Sequence, residues 1–253
     1  MPGPVVREIE AKSILNASKI YDYCVNPYTG CQVGCAYCYA ALFMRRYSGH
    51  SEPWGDFVDA KVNAPALLAR QIVKARRGKI WFSSVCDSYQ PLEERYGLTR
   101  RSLEVLAGRD FPVVIQTKSV RIRRDIDVIR RIPEVEVGFS VASDDESIIR
   151  AFERTSSPVA ERIEALREFR AAGVATYAFA GPLLPGNPER LAALLDGAVD
   201  RVLIDRMNYV PAVRALYARQ GLLAALTDAF FRDQADRLAK ALRARGIAVE
   251  KVF

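Results

Sequence analysis

No stretch of this sequence approaches the roughly 18 consecutive apolar residues that a membrane-spanning helix needs, which excludes that class of membrane protein. The first residues, MPGPVVREIEAKS, lack the apolar core of a secretory signal. The expectation is a cytoplasmic protein with no membrane partner. There is no internal repeat, low-complexity tract, long linker or long block of like charge. Cysteine is scarce and odd in number: Cys24, Cys31, Cys35, Cys38 and Cys86. Five cysteines with three clustered do not make a disulfide framework. In a reducing compartment such a cluster reads as metal-binding or catalytic.

What is present is ordinary for a folded chain with a core: 253 residues, 50% hydrophobic and 26% charged. The expectation is one domain over 1–253, with its core at about 20–207 and helices within 211–245 packing on it. The formal net charge is +7. This balance favours anionic partners, nucleic acid among them. The plainer alternative is a solvated basic surface, as for Arg121, Arg123, Arg124, Arg130 and Arg131, which share one predicted helix with Asp125 and Asp127.

Strand-like and helix-like segments alternate. KIWFSSV (79–85), FPVVIQT (111–117), VEVGFSV (135–141), VATYAFA (174–180) and DRVLIDRM (200–207) read as strands, with a first strand near 21–25 and IAVEKVF as a final edge strand. Helices are predicted from Gly97 to Gly108, from Arg124 to Arg131, from Ser157-Pro158 to Ala172, from Pro188 to Leu195 and within 211–245. Asn63, before Ala64-Pro65, suits a helix N-cap. Near-continuous apolar strands separated by amphipathic helices argue for parallel βαβ units. About six such units, with right-handed crossovers, give an α/β fold: an open or partial (β/α)6 TIM-like barrel with a C-terminal helical extension. Active sites in such folds lie at the carboxyl ends of the strands. That rim would carry Ser84, Cys86, Asp87, Thr117, Lys118, Ser140, Asp205 and Arg206, and the cysteine loop.

The loop reads NPYTGCQVGCAYCYA, with the spacing C-x3-C-x2-C over Cys31, Cys35 and Cys38. It can aim three thiolates at one face of a cubane cluster, and Gly30 and Gly34 permit the backbone turns this needs. Three ligands for four irons leave one iron open to an exchangeable ligand. The alternative is a structural zinc site, which takes four ligands. Cys24 or His50 would have to supply the fourth, and neither has a paired spacing with the triplet.

C-x3-C-x2-C with an aromatic, Tyr37, before the last cysteine resembles the radical SAM superfamily. The surrounding text resembles its branch related to spore photoproduct lyase. Further matches are WGDFVDAKVNAP (54–65), SSVCDSYQPLEERYGLTR (83–100), QTKSVRIRRDID (116–127), SSPVAERIEALREFRAAG (156–173) and GPLLPG (181–186). The resemblance implies a [4Fe–4S] cluster on Cys31, Cys35 and Cys38 that reductively cleaves S-adenosylmethionine (SAM). The resulting 5′-deoxyadenosyl radical abstracts hydrogen from a substrate. It also implies an electron donor such as flavodoxin or ferredoxin.

By the same resemblance Lys118 and Ser140 contact SAM, and Tyr37 lies over the cluster or adenine. The alternatives are a surface lysine, a turn-capping serine and a packing tyrosine. Cys86 is read as a hydrogen-atom donor, although the lyase's cysteine position falls on Ser84, and Tyr39 as its relay partner. The alternative for Cys86 is a small buried hydrophobe. Cys24 reads as a packing residue. Asp87, Tyr89, Gln90, Asp205, Arg206 and Asn208, with Ser84, are substrate-side candidates; strand-end capping and rim ion pairs are their alternative roles. Three functions remain open: a lyase-like DNA repair enzyme, a radical SAM enzyme modifying a peptide, RNA or small metabolite, and a non-enzymatic zinc or Fe–S protein.

Overall fold

The computed structural model describes residues 3–253. Its strands are β1 (Val5–Ile9), β2 (Asn16–Ala17), β3 (Tyr23–Val25), β4 (Tyr28–Thr29), β5 (Phe57–Lys61), β6 (Ile80–Phe82), β7 (Val113–Thr117), β8 (Val135–Ser140), β9 (Ala175–Ala180), β10 (Arg201–Ile204) and β11 (Ala248–Lys251). The helices are α1 (Ala41–Ser48), α2 (Ala64–Ile72), α3 (Glu93–Tyr96), α4 (Leu98–Leu106), α5 (Ile126–Ile129), α6 (Glu146–Phe152), α7 (Val159–Ala171), α8 (Pro188–Leu195), α9 (Val210–Arg219) and α10 (Asp228–Arg243).

The main sheet runs β2-β3-β6-β7-β8-β9-β10-β11. Every pair from β3 to β11 is parallel, and only β2 is antiparallel to its neighbour. Six parallel strands, β3 and β6 to β10, are the expected (β/α)6 set, with β11 added at one edge. Among the described residues β2 and β11 remain the two edges of the sheet. Valine- and isoleucine-rich strands such as VVIQT are buried because helices cover the outer face. Gly138 in β8 leaves room for the ring of Tyr177 in β9: a Cβ there would come within 2.1 Å of it. Outside, α10 packs along α8, and Arg237 pairs with Glu189 at 2.7 Å.

Several expected boundaries shift for local reasons. β6 ends at Phe82, because Ser83 turns to φ 78°. Ser84 and Cys86 are therefore loop residues. The helix expected over 124–131 is a 3₁₀ segment, Val120–Asp125, followed by the short α5. Its arginines are drawn to neighbouring elements: Arg121 to Glu94, Arg123 to Glu168 at 2.8 Å and Arg124 to Glu93 at 2.8 Å. Asn63 precedes α2 but makes no side-chain cap. It binds both backbone groups of Ala11 at 2.9 Å, tying the N-terminal segment down. The sequence also gave no warning of a small sheet, β1-β5-β4, beside the main one. β4 leads into the cysteine loop.

Among the described residues no helix is long and apolar enough to cross a membrane.

Candidate active site

A cavity of about 570 Å³ opens at the carboxyl ends of the parallel strands. Cys31, Cys35 and Cys38 line it, as do Tyr37, Tyr39, Ser84, Cys86, Asp87, Lys118, Ser140, Asp205, Arg206 and Asn208. Tyr89 does not; it is fully buried beside the site, so its expected substrate-side position is corrected. Gln90 is likewise buried and committed to the cysteine loop, accepting from the Gln32 amide at 2.8 Å and donating to the Gly30 carbonyl at 3.3 Å.

The cysteine loop is built around two left-handed glycines, Gly30 at φ 86° and Gly34 at φ 57°. A Cβ on Gly30 would strike the Phe57 carbonyl at 2.3 Å, so this turn requires glycine. The segment after α6 braces the loop from outside. Ala36 donates to the Phe152 carbonyl at 2.9 Å, and Arg154 to that of Val33 at 2.9 Å. From the opposite side the Asp87 amide donates to the sulfur of Cys31 at 3.3 Å. Burial pushes the thiols of Cys31, Cys35 and Cys38 up from their ordinary pKa.

Behind the loop lies a buried ion pair that the sequence did not reveal. Arg162 is fully buried and donates to Glu153 at 2.6 Å, to the Ser157 carbonyl at 2.6 Å and to the Ser140 carbonyl at 2.8 Å. Glu153 also accepts from the Tyr37 hydroxyl. Burial alone would raise the Glu153 carboxyl, but Arg162, Lys118 and Tyr37 outweigh it and hold it low. Lys118 stands over the Tyr37 ring with its Nζ 5.8 Å from the centroid. Burial works against its charge, yet Cys35, Glu153 and Asp87 raise its pKa overall. Asp87 itself caps strand ends: it accepts from the Thr117 hydroxyl at 2.7 Å and the Lys118 amide at 2.8 Å.

The loop after β6 folds against the cysteine loop. Tyr39 donates its hydroxyl to the Ser84 carbonyl. The Asn26 side chain binds three consecutive residues: it donates to the Ser84 hydroxyl at 2.8 Å and accepts from the Val85 amide at 3.0 Å and from Cys86 Sγ at 3.8 Å. Burial pushes the Cys86 thiol up to about 12, against the pull of Lys61.

Deeper and toward the mouth the lining is mostly aromatic: Tyr21, Trp81, Tyr177, Phe179 and Tyr209. Tyr177 donates to Gln116 at 3.0 Å, and Gln116 donates to the Ser140 hydroxyl at 3.3 Å. None of these was singled out from the sequence. At the mouth, burial raises the Asp205 carboxyl, and Asp205 accepts from Asn208 at 3.1 Å.

Residues 25–197 match the family model of the Radical SAM superfamily, more than half of the chain. The chain belongs to the Radical SAM superfamily. An uncharacterised protein of Methanocaldococcus jannaschii is 36% identical over 180 residues, 70% of this chain and 67% of that one. An uncharacterised protein of Mycobacterium tuberculosis is 31% identical over 197 residues, covering 72% of this chain and 57% of its own. A radical SAM Nalpha-GlyT isomerase of Pseudomonas phage M6 is 25% identical over 224 residues, 83% of this chain and 46% of that one. The fold is similar to that of spore photoproduct lyase solved with a dinucleoside spore photoproduct. The TM-score is 0.71 at 16% identity, over 98% of this chain and 82% of that one.

Radical SAM enzymes use a [4Fe–4S] cluster and SAM, and the site can be tested for both. Three soft thiol donors face one cavity, beside the half-buried ammonium of Lys118, which offsets thiolate charge. This donor set suits an iron–sulfur cluster. It does not suit a closed zinc site completed by histidine. Both ring nitrogens of His50 are taken, by Glu52 at 2.9 Å and Asp59 at 2.8 Å, and its ring stacks on Phe57. The remaining volume carries an ammonium at Lys118 and a hydroxyl at Ser140, groups able to meet a carboxylate and a ribose.

Proposed function

We propose that this protein is a radical SAM enzyme with lyase-like chemistry, in which Cys31, Cys35 and Cys38 hold the cluster and Cys86 donates a hydrogen atom to a substrate-derived radical. One observation carries this reading: the Cys86 thiol lines the same cavity as the three cluster cysteines, Lys118 and Ser140. When bound, the reduced cluster and SAM supply a 5′-deoxyadenosyl radical. The protein's own part is to orient and to exclude water. Lys118 binds the SAM carboxylate, Ser140 its ribose, and Tyr37 packs beneath Lys118. Cys86, with its pKa raised by burial, keeps its hydrogen at neutral pH. Tyr39, on the same wall, relays the hydrogen atom.

The substrate enters by the mouth at Asp205, Arg206 and Asn208, into the aromatic lining. In the narrow form it is a DNA lesion, which would have to be turned out of the stack to reach Cys86. A second reading, modification of a peptide, RNA or small metabolite, is favoured by the mouth itself. Arg206 is the cation there, and the arginines of 121–124 are engaged in ion pairs away from it. The phage relative named an isomerase fits this reading too. Flavodoxin or ferredoxin is the proposed electron source. Five free cysteines suit the reducing cytoplasm.

Anaerobic reconstitution tests the core of the proposal. About four irons per chain are expected by the cluster's own stoichiometry, with 5′-deoxyadenosine released from SAM on reduction. Tightly bound zinc in protein purified anaerobically, or no deoxyadenosine, would sink it. Cys86→Ala should still cleave SAM but release altered or trapped products; unchanged products reject the donor role.

A further inference from the structure

Asn26 sits at the end of β3, buried, immediately before the cysteine loop. Its amide group is the meeting point of the loop after β6. Only an oxygen can accept from the Val85 N–H at 3.0 Å, which fixes the amide's orientation. The same oxygen faces Cys86 Sγ at 3.8 Å, and the nitrogen donates to the Ser84 hydroxyl at 2.8 Å. The residue is pinned from behind as well, because Lys61 Nζ donates to its backbone carbonyl at 2.8 Å. The β6 strand has already ended, and Ser83 turns to φ 78°. Residues 84–86 therefore have no sheet ladder to fix them. Tyr39 and Asn26 replace it, and Asn26 alone of the two reaches the sulfur.

We propose that Asn26 is a positioning residue for Cys86: its amide oxygen, held by the Val85 N–H on a backbone that Lys61 pins, fixes the sulfur in the cavity and directs the resting S–H. Ser84 and Cys86, two residues apart, converge on this one amide. The loop thus presents a thiol from position 86 at the point where the hydroxyl of position 84 is also anchored. Cys86 then gives up its hydrogen by rotation about Cβ–Sγ, breaking only the weak contact to Asn26. The S–H bond breaks homolytically and a C–H bond forms. The thiyl left on Cys86 is reduced by one electron from the external reductant and takes a proton from solvent.

The inference rests on the donor role of Cys86, and the experiment separates the two. In iron-free protein, the Raman S–H band that disappears in Cys86→Ala should shift to higher frequency in Asn26→Ala; an unshifted band overturns the inference. The loaded enzyme is then run with SAM and dithionite in D2O, without substrate, so that the 5′-deoxyadenosyl radical itself takes the place of the substrate-derived radical as acceptor from Cys86. Solvent deuterium in the released 5′-deoxyadenosine is expected in the wild type and lost in Cys86→Ala. In Asn26→Ala it should fall by about fivefold per turnover, the value of one modest hydrogen bond. Asn26→Asp, which keeps the acceptor oxygen, should restore most of it. Deuterium retained in Cys86→Ala defeats the donor role itself. Deuterium lost there but unchanged in Asn26→Ala defeats the positioning role alone. Should Asn26→Ala fail to load iron, Lys61→Met carries the same test with a smaller drop, and an unchanged deuterium content again overturns the inference.

Discussion

Two walls of the cavity are built differently. On the wall formed by residues 31–39 and 83–87, most polar groups are held by a distant part of the chain: Asn26, Gln90, Glu153 and Arg162 all serve it. On the wall formed by 205–209, Asp205 binds its own neighbours Arg206 and Asn208, and Tyr209 is exposed. The first wall is fixed before anything binds. The second is adjustable at its side chains: the Asp205 carboxylate is held by its own neighbours, and the one longer reach, Arg206 to Asp228 at 3.7 Å, is between exposed groups. On the proposed function, the cluster cysteines and Cys86 stand on the fixed wall, and the candidate substrate contacts at Asp205, Arg206 and Asn208 on the other.

The most severe way to break this division is at the cysteines. Cys35→Ala should lose almost all iron and all SAM cleavage, read by iron analysis and deoxyadenosine release. Next comes the brace. Arg162→Met strands a buried carboxylate and should cost about 3–5 kcal/mol of stability in urea unfolding. The sign with pH follows from Glu153. Its folded pKa is lowered, so the pair stabilises above the ordinary carboxylate pKa and is lost as pH falls through the lowered value. The acid-unfolding midpoint of Arg162→Met should therefore move to higher pH; an unmoved midpoint would mean that the pair does not support this wall.

Lys118→Ala should raise the dissociation constant for SAM by about tenfold or more, the value of a charge-assisted hydrogen bond, with iron content unchanged. Unchanged affinity, measured by calorimetry, rejects the assignment. The smallest effect belongs to the second wall. Arg206→Ala should leave iron, SAM affinity and stability within about 0.5 kcal/mol, while lowering turnover of the true substrate. A large loss of SAM cleavage there would erase the contrast between the walls.

The sequence made the first wall legible and the second only as candidates. Alternating apolar strands and amphipathic helices carried the fold, and the C-x3-C-x2-C spacing carried the centre, because both are local patterns. Glu153, Arg162, Asn26 and Gln116 were not legible. Asn26, Gln116 and Glu153 reach partners far along the chain, Ser84, Tyr177 and Tyr37 among them, and in sequence a buried Arg162 looks like any other arginine on an amphipathic helix. The same limit explains Asn63, whose local text suggested a cap while its side chain is taken by Ala11. Ser83 hid the end of β6, since nothing in KIWFSSV marks a left-handed serine.

The close fit of Gly138 against Tyr177 has a consequence for how such enzymes diverge. The cavity lining at Tyr177 is set by one missing methyl group and one ring. An alanine at 138 would demand a smaller residue at 177, and that exchange would widen the cavity there without disturbing a thiol. Room in that part of the cavity is thus controlled jointly by two residues on adjacent strands.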